Sequence, residues 1–311
     1  MPDVSGYDFL KELRLSYASI PVIVLTSCHD VSVAVQCLKY DADDYILKEE
    51  AATRLHKRVS VLLSEKKPLL HASDSVSDAN GEFLIPKHSR YQNTYHLGLA
   101  AAKKGLNILI SGPTGSGKDV LARYIHQQVC PDKPFVALNC GAIVENLAES
   151  EFFGSESHAY TGANDSMGKL EAANGGILFL DELSSMSLSI QVKLLRVLET
   201  GEFFRVGGNE LRRSQFIVIS ATNEPLKSLI LANKFRSDLF YRLKDVHLEL
   251  PALQDLPELI PEFISFFEAQ FLEEFDGARS LTASEKEALL SACDGNVRSL
   301  KKEVRNAIAC K

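Results

Sequence analysis

Residues 107–119 read NILISGPTGSGKD, and this stretch decides the fold. A short apolar run stops at a glycine-rich turn, after which Val120, Leu121, Tyr124 and Ile125 recur at the spacing of one helix face. Strand, turn and helix in that order predict a phosphate-binding loop. Gly112, Gly115 and Gly117 let backbone amides turn inward around phosphate oxygens, and Pro113, Thr114 and Ser116 complete the turn. Lys118 can then reach the outer phosphates, and the helix amino terminus adds a favourable dipole. The general motif continues with a Ser or Thr whose hydroxyl ligates magnesium, whereas here Asp119 follows. Metal binding must then lean on other groups, with phosphates and water filling the remaining positions, and the candidate ligand is Asp181.

Further along the chain, short and nearly continuous apolar runs recur at residues 135–138, 177–180, 216–220 and 246–250. Runs without alternation suit strands covered on both faces, and the helical patterns between them, such as Leu194, Leu195 and Leu198, imply a parallel α/β sheet. The run at 177–180 leads into two adjacent carboxylates, Asp181 and Glu182. Asp181 can hold magnesium through water while Glu182 polarises an attacking water. A third strand, FIVISATN, delivers Asn223 to the sheet edge where such folds bind ligands, although spacing alone leaves it equally readable as a turn asparagine. After Pro251 the strand signal stops, and helices are expected over 257–275, 282–293 and 296–309, the second opening with the capping-box pair Thr282 and Glu285. The expected division is a front segment 1–63, a polar linker 64–90 broken by Pro68, Gly81 and Pro86, an α/β body 91–251 and a helical lid 252–311.

Composition narrows the function classes. The 311 residues, 45% hydrophobic and 24% charged, suffice for ordinary globular cores and exclude a fibrous or disordered chain. No apolar run approaches the ~20 residues that span a bilayer, and the amino terminus lacks a basic-then-apolar signal, so a cytoplasmic protein without a membrane partner is expected. A net charge of −7 argues against a dedicated nucleic-acid surface, which normally carries a basic stripe. The six cysteines contain no CxxC pair, so neither a zinc site nor a disulfide framework is suggested.

Over residues 91–311 the chain resembles the central ATPase domain of bacterial enhancer-binding proteins, the activators of sigma-54 RNA polymerase. The resemblance rests on FVALNC, ESEFFG, YTGA, GGILFLDE, KLLRVLETGEFFRVGG, ATN, FRSDLFYRL and GNVRSL, in family order. It implies an AAA+ P-loop NTPase with a parallel sheet and helical lid, hydrolysing ATP with magnesium in a homo-oligomeric ring, expected as a hexamer, that remodels sigma-54 RNA polymerase holoenzyme. An acidic residue at the position of Asp119 is usual in that family. By resemblance, Asn139 restrains the catalytic Glu182, Asn223 is the first sensor and Arg298 the second. Arg236 and Arg242 resemble the fingers that reach a neighbouring subunit's γ-phosphate; without the resemblance they read as surface arginines on a helix. Residues 158–163, HAYTGA, align with the loop said to touch sigma-54: Ala159, Thr161, Gly162 and Ala163 match, Tyr160 replaces phenylalanine, and His158 replaces glycine.

Residues 1–63 resemble the second half of a flavodoxin-like response-regulator receiver, with Thr26 as the switch residue, Lys48 ending the last strand and Glu49 where proline is usual. The half that would carry the phosphoacceptor aspartate does not precede them, so phosphorylation of this segment is not expected. Nor does a helix-turn-helix follow the lid, and DNA binding by this chain itself is not supported. A two-component activator is the first reading. The alternative is a regulatory or decayed subunit that binds nucleotide and joins rings without activating transcription.

Overall fold

In the computed structural model the described residues are 22–26, 44–48, 55, 76–77, 83–86, 88–157, 159, 164–275 and 278–309, and the chain falls into two units, Met1–Asp74 and Ser75–Lys311. In the first unit the expected strands are present: β1 (Ile23–Thr26) pairs in parallel with β2 (Asp44–Leu47), in register Ile23 with Asp44. Ile46 of β2 is buried and Lys48 exposed, whereas Glu49 lies outside the described residues.

The second unit opens with β3 (Val76–Ser77) antiparallel to β4 (Leu84–Ile85), followed by α1 (Ser89–Lys103). Phe83, Leu84 and Ile85 are buried in the main core, so the body begins before Tyr91 and the expected linker is corrected at this end. Three apolar residues flanked by polar ones and Pro86 carry too weak a pattern to announce burial, yet they pack against Tyr91, Tyr95 and Tyr124 within one cluster.

Then follow β5 (Ile108–Ser111), α2 (Lys118–Val129), β6 (Phe135–Asn139), α3 (Glu145–Phe153), the hairpin strands β7 (Gly154–Ser155) and β8 (Ser166–Met167), and α4 (Lys169–Ala172). Next come β9 (Ile177–Asp181), a 3-10 turn Leu183–Ser185, α5 (Leu188–Thr200), the short strands β10 (Glu202–Phe203) and β11 (Arg212–Arg213), and β12 (Ile217–Thr222). The α/β layer closes with α6 (Leu226–Leu231), α7 (Ser237–Leu243) and β13 (Val246–Glu249). Five strands form one sheet in the order β13-β5-β12-β9-β6, every neighbouring pair parallel.

The sheet explains the apolar runs. Side chains alternate between faces along a strand, so Ile108, Ile110, Ile177, Phe179, Ile219 and Leu248 enter one core, while Leu109, Leu178, Leu180 and Val218 enter another on the opposite face. Helices α1 and α2 cover the first face, and α3, α5 and α7 the second. The first core continues into the lid, built of α8 (Ile260–Glu274), α9 (Ala283–Ala292) and α10 (Val297–Ala309). The capping box at Thr282 and Glu285 is formed. On α10, Leu300, Val304 and Ile308 fall four residues apart and are buried as one stripe against that core. Among the described residues no helix is long and apolar enough to cross a membrane.

Candidate active site

Parallel strands bring all their carboxyl ends to one edge, where α/β sheets hold ligands. Ser111 of β5 is level with Thr222 of β12 and Glu249 of β13, and Asn139 of β6 is level with Asp181 of β9. Because β12 lies between β5 and β9, Asn223 emerges between the glycine-rich loop and the acidic pair. Its Nδ2 donates to Thr114 Oγ1 at 3.1 Å. Gly117 precedes α2 with φ 88°, a conformation that L side chains rarely adopt, and it turns the chain into the helix with no side-chain cap over the first amides. Lys118 is folded back into the loop, its Nζ donating to the carbonyls of Gly112 and Pro113 at 2.8 Å each. Burial pulls the Lys118 ammonium below its ordinary pKa, while Asp181 and Asp119 act in the opposite direction. Thr114, Gly115, Gly117, Lys118, Asp119, Asp181, Glu182, Asn223 and Arg298 line one cleft, so the lid contributes Arg298 to the same place.

Asp181 ends β9 and its Oδ1 accepts the Glu182 N–H at 2.9 Å. Glu182 itself has φ 51° and ψ 47°, a left-handed conformation costing about 1–3 kcal/mol for a residue with a Cβ. That strain aims its carboxylate over Gly141, where a Cβ would come within 2.2 Å of Glu182 Oε2 and 3.3 Å of Asn139 Oδ1. Asn139 uses Oδ1 to accept the N–H groups of Gly141 at 2.8 Å and Ala142 at 3.1 Å. Among the described residues no hydrogen bond joins Asn139 to Glu182; the two face one another across the Gly141 turn. Between them Cys140 is buried, its thiol pushed up to about 12 by burial and then by Asp181 and Glu182, which leaves it an inert core group. No group of three or more His, Cys, Asp or Glu disposed to hold a metal occurs among the described residues.

Beside the cleft lies a largely apolar pocket between the glycine-rich loop and the lid, lined among others by Leu84, Pro86, Tyr91, Phe263, Val297 and Arg298. Ser116 Oγ and Tyr91 Oη, in two residues that line this pocket, are buried without a hydrogen-bond partner among the described residues. Sequence reasoning missed this pocket, and it missed Asn296. Asn296 caps α10 through Oδ1, which accepts from Arg298 N at 2.9 Å, and its Nδ2 donates to the Thr114 carbonyl at 3.0 Å. An asparagine opening the expected helix at 296–309, where a cap is favoured, is the available signal. The loop and lid meet so closely that a Cβ on Gly115, whose φ is 79°, would lie 1.9 Å from Asn296 Oδ1. Gly115→Ala is therefore expected to destabilise the second unit by about 1–2 kcal/mol from backbone strain alone, and further through the displaced Asn296. A urea midpoint equal to that of the parent protein would contradict this.

Arg236 and Arg242 do not line the cleft of their own chain. Arg236 is exposed at the start of α7 and paired with Asp238, whose carboxyl it holds below the usual range. Arg242, in the last turn of α7, donates to the Leu198 carbonyl at 2.8 Å. Of residues 158–163 only Ala159 is described; His158, Tyr160, Thr161, Gly162 and Ala163 lie outside the described residues. The base of their loop is fixed on both sides, since β7 pairs with β8 and Ser155 also bridges to Val206. Arg205 binds Glu171 through paired hydrogen bonds of 2.8–3.0 Å in a half-buried setting beside this base.

Comparison with known proteins agrees with this architecture. Residues 84–249 match the Sigma-54 interaction domain and residues 1–60 the response regulator receiver domain. The regulatory protein LuxO of Vibrio vulnificus (strain YJ016) is 33% identical over 315 residues, covering 99% of this chain and 69% of LuxO. The DNA-binding transcriptional regulator NtrC of Escherichia coli (strain K12) is 34% identical over 314 residues, covering 98% of this chain and 66% of NtrC. Among solved structures, NtrX from Brucella abortus in complex with ADP superposes with a TM-score of 0.66 at 31% identity, covering 98% of this chain and 66% of that one. The chain thus spans about two thirds of the length of these relatives. Matched on both of its units and along nearly its whole length, it belongs to the sigma-54-interacting AAA+ transcriptional activators of the response-regulator family.

Proposed function

We propose that this chain is an ATP-hydrolysing subunit of a homomeric, hexameric ring in the cytoplasm that remodels sigma-54 RNA polymerase holoenzyme. One observation carries the reading: Lys118, Asp181, Glu182, Asn223 and the lid's Arg298 converge on one cleft, whereas Arg236 and Arg242 lie outside it, exposed at the two ends of α7. In this reading the phosphates lie against the loop of residues 112–119, and the apolar pocket between Leu84 and Val297 holds the base. Lys118 exchanges the Gly112 and Pro113 carbonyls for phosphate oxygens. Asp181, with the phosphates, would hold magnesium, which would supply charge neutralisation on the nucleotide. Glu182 orients and polarises the attacking water, and Asn223, bonded to Thr114, reports on the same end of the nucleotide. Asn139, facing Glu182 across Gly141, restrains that carboxylate until the target is engaged. A neighbour's Arg236 and Arg242 complete the charge stabilisation, so hydrolysis depends on assembly.

Residues 158–163 form the contact with sigma-54 in this reading; they follow β7, which pairs with β8 and bridges to Val206 through Ser155. The test is retention of purified sigma-54 by the protein trapped with an ATP transition-state mimic. The parent protein is expected to retain it, and Thr161→Ala to lose it by about tenfold or more, the size of an interface hot spot. His158→Gly is expected to bind more strongly, because it removes a Cβ and a titrating group where the resembling loops carry glycine. No retention by the trapped parent protein would overturn the reading, and equal retention by Thr161→Ala would remove the loop from it.

A further inference from the structure

Gln191 on α5 has no part in the cleft, yet it is completely buried, an unusual place for an uncharged amide. All of its polar capacity is directed to backbone that leads to active groups. Its Nε2 donates to the Met186 carbonyl at 2.8 Å and to the Lys234 carbonyl at 3.1 Å, and its Oε1 accepts the Arg236 N–H at 2.9 Å. Met186 closes the 3-10 turn that starts at Glu182, and Arg236 is the residue that caps α7. One side chain thus joins the turn behind the catalytic glutamate to the segment that presents a trans-acting arginine.

We propose that Gln191 is a positioning residue for Arg236, setting the finger that this subunit offers to the active site of its neighbour. The proposal rests on the in-trans reading of Arg236 given above. Two carbonyls and one N–H around the amide match its two donors and its acceptor, and together they fix its orientation without water. The effect falls on the finger rather than on Glu182 of the same subunit. The Glu182 turn keeps its own bonds, Ser185 N–H to the Glu182 carbonyl at 2.9 Å and Met186 N–H to the Leu183 carbonyl at 3.2 Å, when the amide is lost. The Arg236 N–H has Gln191 Oε1 as its acceptor, and the Arg236 side chain reaches outward from that anchor toward Asp238. A two-ended link of this kind also lets the turn behind Glu182 in one subunit bear on the finger delivered to the next.

The experiment is complementation between subunits. Gln191→Leu is expected to bind a fluorescent ATP analogue within about twofold of the parent protein, while kcat falls by about tenfold or more because the finger is misplaced. Mixed in equal amounts with Glu182→Gln, which cannot hydrolyse but carries an intact finger, it is expected to regain activity. With random assembly half of the sites keep Glu182 and half of those face a good finger, so the mixture should reach about a quarter of the parent rate per site. Arg236→Ala mixed with Glu182→Gln is the control. If the control mixture stays inactive, Arg236 does not act in trans, and the inference falls with that reading. If the control recovers and the Gln191→Leu mixture does not, Gln191 does not act through the finger and the inference alone is overturned. Gln191→Met serves as the second variant; loss of nucleotide binding in both would assign Gln191 to the fold and overturn the proposal too.

Discussion

Lys118→Ala is expected to lose nucleotide binding by about a hundredfold or more, since charge-assisted bonds to phosphate contribute about 1.5–3 kcal/mol each and no other lysine lines the cleft. Burial already depresses the Lys118 pKa, and in the folded loop its ammonium is satisfied by two backbone carbonyls that a γ-phosphate can replace. The counterpart, Glu182→Gln, is expected to bind as the parent does and to lose hydrolysis, because the amide keeps the shape but cannot polarise water. Titration with a fluorescent ATP analogue reads the first effect and phosphate release the second. Equal affinity in the parent and Lys118→Ala would remove the loop of residues 112–119 from the nucleotide site, and hydrolysis by Glu182→Gln at the parental rate would remove Glu182 from the chemistry.

The sequence announces both residues openly. Lys118 sits inside a contiguous motif whose strand and helix flanks are local, so eight consecutive letters specify loop, helix entry and charge. Asp181 and Glu182 are legible for the same reason, at the end of an uninterrupted apolar strand. What the sequence does not carry is the order β13-β5-β12-β9-β6, and it is this order that sets Asn223 between the loop and the acidic pair. Groups delivered by remote elements were equally silent. Asn296 reaches Thr114 across 182 positions and Gln191 reaches Arg236 across 45, and a lone amide has no pattern of its own. Leu84 and Pro86 were hidden differently, since three apolar letters in a polar stretch resemble a linker until Tyr91 and Tyr95 cover them. Asn139 was legible as a residue, but its hydrogen bonds to Gly141 and Ala142 depend on a turn that only the folded chain displays.

The largest effect is expected from the arginines that leave their own cleft. Arg236→Ala or Arg242→Ala should lower kcat by about a thousandfold, the usual consequence of removing an arginine finger from phosphoryl transfer, with nucleotide affinity nearly kept. The geometry makes the two separable. Arg236 is exposed and held by Asp238, a partner it can exchange for phosphate when a neighbour docks, whereas Arg242 is tied to the Leu198 carbonyl at the carboxyl end of α5. Asp238→Asn should therefore free Arg236 and leave Arg242 unchanged. Because neither guanidinium lines the cleft of its own chain, specific ATPase activity of the parent protein is expected to rise with protein concentration and level off once rings are complete. Dilution should reverse it. A dilute monomer, verified as such by sedimentation, that hydrolyses ATP as fast as the concentrated protein would place the stabilising charge within one chain, and Arg298 of the lid would then be the arginine left to supply it.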